Sequence, residues 1–267
     1  MIMALLNGRP ASGKTTLALH LAAAWSARRE RVIVVDASTT FDAVRWHEAR
    51  IRAGLAPRFR VVPAAPERLG RRSLCRLARR SHVIIDGPSG DSALSLPALL
   101  ASDLAIIPTR PSPEDMAAVL AMVGLALDAR AHRRAALVRF VLNRSRSSSD
   151  LDREIAEMRA EYEPALLGSF VDHHAILAEA LVRGRVVDEL DSGASAYRDI
   201  VALADELLRL PLPAPVDHGA GGLLARLLPS WIGDPCVLAR PSDPAAALPI
   251  EDSKAADLRI SSGGEPI

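Results

Sequence analysis

Short apolar runs rich in β-branched residues recur along the chain at 1–6, 31–36, 59–63, 82–86, 103–108, 137–143 and 166–171. Each is five to seven residues of near-continuous hydrophobicity, the pattern of a strand buried on both faces. Between them the apolar period lengthens to that of a helix. Helices are expected directly after residue 13 (Leu17, Leu21, Ala24, Trp25) and at 41–53, 66–80, 92–101, 113–130, 150–161, 173–182 and 194–209. Alternation of this kind predicts an α/β fold: a mostly parallel sheet with helices on both faces. In such sheets ligands bind beyond the carboxyl ends of the strands. Asp36, Asp86, Pro108 and Asn143 stand at those ends.

The pattern stops at Pro211. From there to residue 267 the chain holds nine prolines and six glycines, beginning P-L-P-A-P. Two regions are therefore expected: an α/β domain over 1–210, and a Pro/Gly/Ala-rich disordered tail over 211–267. Within the tail, Leu223, Leu224, Leu227, Leu228 and Trp231 keep helical spacing, so a short apolar helix is expected near 223–232. It can dock a partner, fold back on the domain or rest weakly on a membrane. With Arg226 as its one basic residue, the membrane reading is disfavoured.

Charge follows the same division. Residues 1–210 carry 29 Lys+Arg against 25 Asp+Glu, and residues 211–267 carry 4 against 7, a mildly basic body and an acidic tail. Cys75 and Cys236 have no Cys/His ligand spacing near them, which suits free thiols in a reducing compartment. The longest apolar stretch, 117–127, is far short of the roughly 20 residues that span a bilayer. The six apolar residues at the start feed a loop and read as a strand, not a signal peptide. A soluble, cytoplasmic protein is expected.

The loop that follows the first strand carries the chemistry. Residues 7–16 read N-G-R-P-A-S-G-K-T-T and match G-x-x-x-x-G-K-[ST] through Gly8, Gly13, Lys14 and Thr15. Glycines let the backbone N–H groups of such a loop converge on phosphate oxygens. The lysine reaches the β- and γ-phosphates, and the hydroxyl ligates Mg²⁺. The match falls between a strand and a helix, so a helix N-terminus faces the anion. Gly8, Arg9, Pro10, Ala11, Ser12, Gly13, Lys14, Thr15 and Thr16 are accordingly the candidate nucleotide-binding residues, with ATP and Mg²⁺ as the implied cofactors. The metal also needs a carboxylate at a strand end. Asp86, after V-I-I, and Asp36, after V-I-V-V, are the two candidates. Either residue type also serves as a helix cap after a strand.

These segments resemble, in order and spacing, the ParA-type partition ATPases, in the group that includes the MinD-like positioning ATPases: N-G-R-P-A-S-G-K-T-T-L-A-L-H-L-A, V-I-V-V-D, V-I-I-D-G-P, A-I-I-P-T-R-P-S and V-L-N-R. The resemblance covers about residues 1–209 and implies a P-loop NTPase fold of the SIMIBI type. It also implies an ATPase that forms an ATP-dependent homodimer, binds DNA non-specifically in that state and is stimulated by a ParB-like or other partner. Cargo would be a plasmid or chromosome, and the protein would associate with the nucleoid. Carried over by position, Lys14 and Thr15 bind phosphate and Mg²⁺, Asp86 supports the metal and Asn143 reads the adenine.

Two departures bear on the mechanism. The family signature places a lysine where Arg9 stands and two glycines where Pro10 and Ala11 stand. That lysine crosses to the partner's nucleotide. Arg9 keeps the charge on a longer planar head, so it is either a cross-dimer residue or a solvated loop residue. Pro10 removes one N–H from the loop. The family also has D-x-D-P-Q after this second strand, where this chain has D-A-S-T-T, with Ser38 in place of the carboxylate that positions water. A hydroxyl is a poor general base near neutral pH. Asp42 can substitute if the segment curls back, although the pattern places it on the following helix. Slow hydrolysis is the expectation, with Lys14, Arg9, Ser38 and Asp42 as candidate catalytic residues.

Basic residues crowd 45–80, where eleven arginines face Glu48 and Glu67. Arg71, Arg72 and Arg76 alternate with Leu69, Leu74 and Leu77 on one expected helix. They, with Arg183, Arg185 and Arg198 further on, form either a DNA phosphate footprint or a solvated face. Scarce aromatics argue against single-strand binding. Rival readings are a small-molecule P-loop kinase or ATP-dependent ligase, for which no acid/base constellation is visible, and a nucleotide-binding regulator with little catalysis.

Overall fold

A computed structural model describes residues 1–90, 92–110, 112–131, 136–143, 153, 156, 160 and 165–212. The described residues lie in one compact unit within Met1–Pro229. Tail residues 213–267, with Cys236 and the helix expected near 223–232, and most of the helix expected over 150–161 lie outside them.

All seven expected strands form: β1 (Ile2–Leu5), β2 (Val32–Asp36), β3 (Arg60–Pro63), β4 (His82–Asp86), β5 (Leu104–Thr109), β6 (Leu137–Asn143) and β7 (Leu166–Val171). They make one sheet in the order β3-β2-β4-β1-β5-β6-β7, and every pairing is parallel. Strands β2, β4, β1 and β5 are buried along their whole length, apart from His82, which explains their unbroken apolar sequences. Pairing aligns Leu5 with Asp86 and Asp36 with Asp86, so the ends of β1, β4 and β2 stand level. That common edge is the floor of the site.

Helices α1 (Lys14–Ala27), α2 (Asp42–Arg52), α6 (Ala175–Val182) and α7 (Ser195–Arg209) pack together on one face. Helices α3 (Arg71–Ala78), α4 (Leu96–Ala101) and α5 (Pro113–Ala131) cover the other. The α1 helix is apolar all round because it is enclosed, with Leu17, Leu19, Leu21 and Trp25 fully buried between the sheet and α7. Trp25 Nε1 donates to the Ala204 carbonyl at 3.1 Å, which satisfies the one polar atom of that side chain.

Two expected helices divide. The helix expected over 66–80 is broken into a 3₁₀ turn, Pro66–Arg68, and α3, because Gly70 is extended (φ −107°). The one expected over 92–101 divides likewise into a 3₁₀ turn, Ser92–Ser95, and α4. The body is closed by partly buried ion pairs to a third 3₁₀ turn, Val187–Glu189: Arg50 to Glu189 at 2.8 Å and Arg58 to Asp188 at 2.7 Å.

Candidate nucleotide-binding site

Residues 7–13 form the loop between β1 and α1, at the level end of the sheet. Asn7 anchors it: its Nδ2 donates to the Pro108 carbonyl at the end of β5, and its Oδ1 accepts the Arg9 N–H, both at 2.8 Å. Gly13 takes φ 90°, and a Cβ there would lie 2.1 Å from Asn143 Nδ2. Only glycine fits this turn. Ala11 also adopts a left-handed conformation (φ 56°), for which glycine is the cheaper residue. The N-terminus of α1 has no side-chain cap and no acidic residue in its first turn. Its free N–H groups and dipole are thus available to an anion.

Lys14 is 5% exposed, and its ammonium donates to the Asn7 carbonyl at 2.9 Å and to the Arg9 carbonyl and Ser12 Oγ at 3.2 Å. Burial pushes its pKa down to about 8, opposed by the charge of Asp86. Thr15 Oγ1 donates to Asp86 Oδ2 at 2.7 Å. The other oxygen of Asp86 is buried and has no hydrogen-bond partner. Burial is also the main reason its pKa rises to about 7; the Thr15 bond opposes the shift and Asp36 adds to it. An orphaned carboxylate oxygen beside a threonine hydroxyl, under an anion-binding loop, fits a hard cation such as Mg²⁺.

Asp36 is equally buried but spends both oxygens on protein. Oδ1 accepts the Ser38 N–H at 3.0 Å and the Ser38 hydroxyl at 2.7 Å, and Oδ2 accepts the Val44 N–H at 2.9 Å in the first turn of α2. This is the capping arrangement, and it holds Ser38 at the pocket wall. Asp42 is the first residue of α2 and is half-exposed, with Oδ2 accepting the Thr40 hydroxyl at 2.6 Å. The segment does curl back: Ser38, Thr39, Thr40 and Asp42 line one cleft with Pro10 to Thr16, Gly87, Ser89 and Gly90. Its volume is about 490 Å³, the size of a small-molecule site. Gly87 permits the close approach of β4 to β1, since a Cβ there would meet the Leu5 carbonyl oxygen at 2.6 Å.

Asn143, at the end of β6, donates from Nδ2 to the Ser12 carbonyl at 2.8 Å and so abuts the loop. Arg9 lies with Nε 3.4 Å from Asp115 Oδ1 on α5. Asn7, Arg110 and Asp115 carry site contacts that the motif does not announce. Asn7 has the one visible signal, an amide at the end of an apolar strand.

The candidate DNA arginines are dispersed. Arg71 donates to the Ala101 carbonyl at 2.8 Å and to Asp103 Oδ1 at 2.7 Å, so it fastens α3 to the start of β5. Arg50 and Arg58 of the same basic segment are likewise internal, in the ion pairs described above. Arg72 and Arg76 are exposed on α3. Arg183 is exposed and pairs with Glu179 at 2.6 Å, and Arg198 is exposed and donates to the Gly193 carbonyl at 2.7 Å. Arg185 is half-buried, its carbonyl accepting Trp46 Nε1.

Residues 3–187 match the CobQ/CobB/MinD/ParA nucleotide binding domain. The chain belongs to that family. It is 37% identical over 123 residues to the maintenance of carboxysome distribution protein A of Gloeobacter kilaueensis, a match covering 46% of this chain and 55% of that protein. The chain thus spans about half the length of this curated relative. Among solved structures, an ATP complex of McdA from Cyanothece superposes with a TM-score of 0.64 at 16% identity, covering 81% of this chain and 98% of that one. MinD of Pyrococcus horikoshii complexed with Mg-ADP gives 0.63 at 19%, covering 78% and 96%. At these identities the likeness concerns the fold: a MinD/ParA-type P-loop NTPase with a seven-stranded parallel sheet. Among the described residues no helix is long and apolar enough to cross a membrane.

Proposed function

We propose that this protein is an ATP-driven positioning switch of the ParA/MinD type, which binds ATP with Mg²⁺, dimerises in that state and hydrolyses it slowly. The observation that carries the reading is the pairing of Thr15 with Asp86 below the phosphate loop, together with the Asp36-bound hydroxyl of Ser38 across the cleft. The first pair supplies a metal and phosphate site. The second puts no free carboxylate where the family has one, so bound nucleotide is spent slowly. Lys14, Thr15 and the loop amides hold the phosphates, Asn143 turns to the adenine, and Thr15 and Asp86 hold the metal, which supplies charge neutralisation at the phosphates. Asp36 acts through Ser38. Asp42, on the cleft wall, orients water. Arg9 crosses to the partner's nucleotide.

The dimer binds DNA non-specifically through Arg72, Arg76, Arg183, Arg185 and Arg198, in a nucleoid-associated, cytoplasmic setting. A ParB-like or other protein stimulates turnover. The cargo is a plasmid, a chromosome or, as the carboxysome-distribution relative suggests, a large protein assembly. Size-exclusion chromatography with ATP, ADP and no nucleotide, repeated with Lys14→Ala, tests the switch. Dimers formed only with ATP and only by the wild-type chain are expected. A permanent monomer that phosphorylates a small molecule would overturn the reading. Single-turnover rates with DNA and partner that are unchanged in both Ser38→Ala and Asp42→Ala would remove those residues from the chemistry.

A further inference from the structure

A trans peptide is planar, so the C=O of one residue and the N–H of the next point in opposite directions. A donor that takes hold of a loop carbonyl therefore also aims the N–H that follows it. Three carbonyls of the phosphate loop are held in this way from the ends of neighbouring strands. The Gly90 N–H, beyond β4, donates to the Gly8 carbonyl at 2.7 Å. Arg110 Nη2, directly after β5, donates to the Ala11 carbonyl at 2.6 Å. Asn143 Nδ2, at the end of β6, donates to the Ser12 carbonyl at 2.8 Å.

The middle contact falls where the loop is most strained. Ala11 stands at φ 56°, a conformation that glycine reaches freely and an L residue does not. It also falls where donors are scarce. Pro10 has no N–H, and the Arg9 N–H is already taken by Asn7 Oδ1 at 2.8 Å. More of the phosphate binding is thereby left to the N–H groups of Ala11, Ser12 and Gly13. Arg110 works from a firm base: it follows a strand buried along its whole length, and its carbonyl accepts the Ser112 N–H at 2.9 Å.

We propose that Arg110 is a positioning residue that holds Ala11 in its left-handed conformation by the carbonyl, so that the Ser12 N–H is aimed before a phosphate arrives. The proposal rests on the reading above in which this loop binds ATP. Without the guanidinium, Ala11 leaves that conformation for part of the time. Affinity then falls in proportion to the fraction of chains that keep the binding form. A glycine at position 11 would populate the conformation unaided, and the need for Arg110 would disappear with it.

The test is a double-mutant cycle on the full chain with Arg110→Ala and Ala11→Gly, read as the dissociation constant for ATP with Mg²⁺ by titration calorimetry. In the wild-type background, Arg110→Ala is expected to weaken binding roughly fivefold, as the loss of one hydrogen bond does. In the Ala11→Gly background, the same substitution is expected to weaken it by less than about twofold. A residue that merely supported the fold would not be relieved by a glycine in the loop. An Arg110→Ala chain that binds ATP like the wild type overturns the proposal. A loss equally large in both backgrounds also overturns it, and assigns Arg110 to a direct charge contact with the nucleotide. Both of those outcomes leave the nucleotide-binding reading intact. A wild-type chain that does not bind ATP overturns that reading and this proposal together.

Discussion

Asp36 and Asp86 stand opposite each other on neighbouring strands, yet only Asp86 keeps an oxygen without a hydrogen-bond partner. Asp36 is committed to Ser38 and Val44. The two carboxylates should therefore fail differently. Asp86→Asn and Thr15→Ala are expected to weaken Mg²⁺-dependent nucleotide binding by roughly 10–100-fold with little change in melting temperature. Asp36→Ala, which strands two buried N–H donors and a hydroxyl, is expected to cost about 2–4 kcal/mol in urea unfolding. Equal losses of stability in the Asp36 and Asp86 variants would show that both are structural.

The loop between these carboxylates and α2 stores strain at Phe41, which takes φ 52° while 40% exposed. A bulky residue is costly in this left-handed region. Phe41→Gly and Phe41→Ala remove the same ring but differ in tolerance of this φ. The glycine variant is expected to be more stable than the alanine variant by about 1 kcal/mol, the reverse of the order inside a helix. Thermal melts of the two decide it.

A buried imidazole makes stability depend on pH. His20 lies in the enclosed helix α1, with Nδ1 2.8 Å from the Thr16 carbonyl and Nε2 without a partner. Burial drives its pKa down from 6.5 to about 4, against the Thr16 bond and the charge of Asp188. The unfolded chain therefore binds the proton first. Stability from this group is complete above pH 6.5 and declines as pH falls toward about 4, by about 3 kcal/mol at most. Glu189 adds a more acidic window: burial alone would raise its pKa, but the hydrogen bonds from Arg50 and Val186 hold it below 4.5, so its contribution is lost as pH falls below that value. Asp86, whose carboxyl burial raises to about 7, slopes the opposite way across the same window, so His20→Leu should lower the net rise of stability with pH between pH 4 and 6.5 and leave the lower window in place.

Much of this was legible along the chain because burial on both faces leaves an unmistakable mark. All seven strands and the loop joining Gly8 to Thr15 follow from apolar runs and a fixed spacing. Gly70 and the prolines at 66 and 97 gave the two broken helices, and those breaks are local effects that a long apolar period conceals. Partnerships across the fold had no such mark. Asp36 and Asp86 end similar strands, and only the loop geometry after β2 assigns one to capping. Asp115 looks like any acidic residue near a helix start until α5 brings it to Arg9. The arginines of 45–80 look alike in sequence, although a guanidinium paired in the interior and one in solvent differ completely in what they can bind.

That last distinction yields a prediction for DNA. Arg71 is engaged by Ala101 and Asp103, whereas Arg72 and Arg76 lie exposed on the same helix. If α3 meets the phosphate backbone, Arg72→Ala and Arg76→Ala should each weaken binding about equally for all sequences. Each should also lower the slope of log K against log salt by about 1, the signature of one lost phosphate contact. Arg71→Ala should instead cost about 1–3 kcal/mol of stability by unpairing the half-buried Asp103, with an unchanged salt slope. Affinities with ATP at several salt concentrations, set beside urea unfolding, separate the two kinds of arginine. A salt slope that moves with Arg71 but not with Arg72 or Arg76 would place the DNA on another face of the protein.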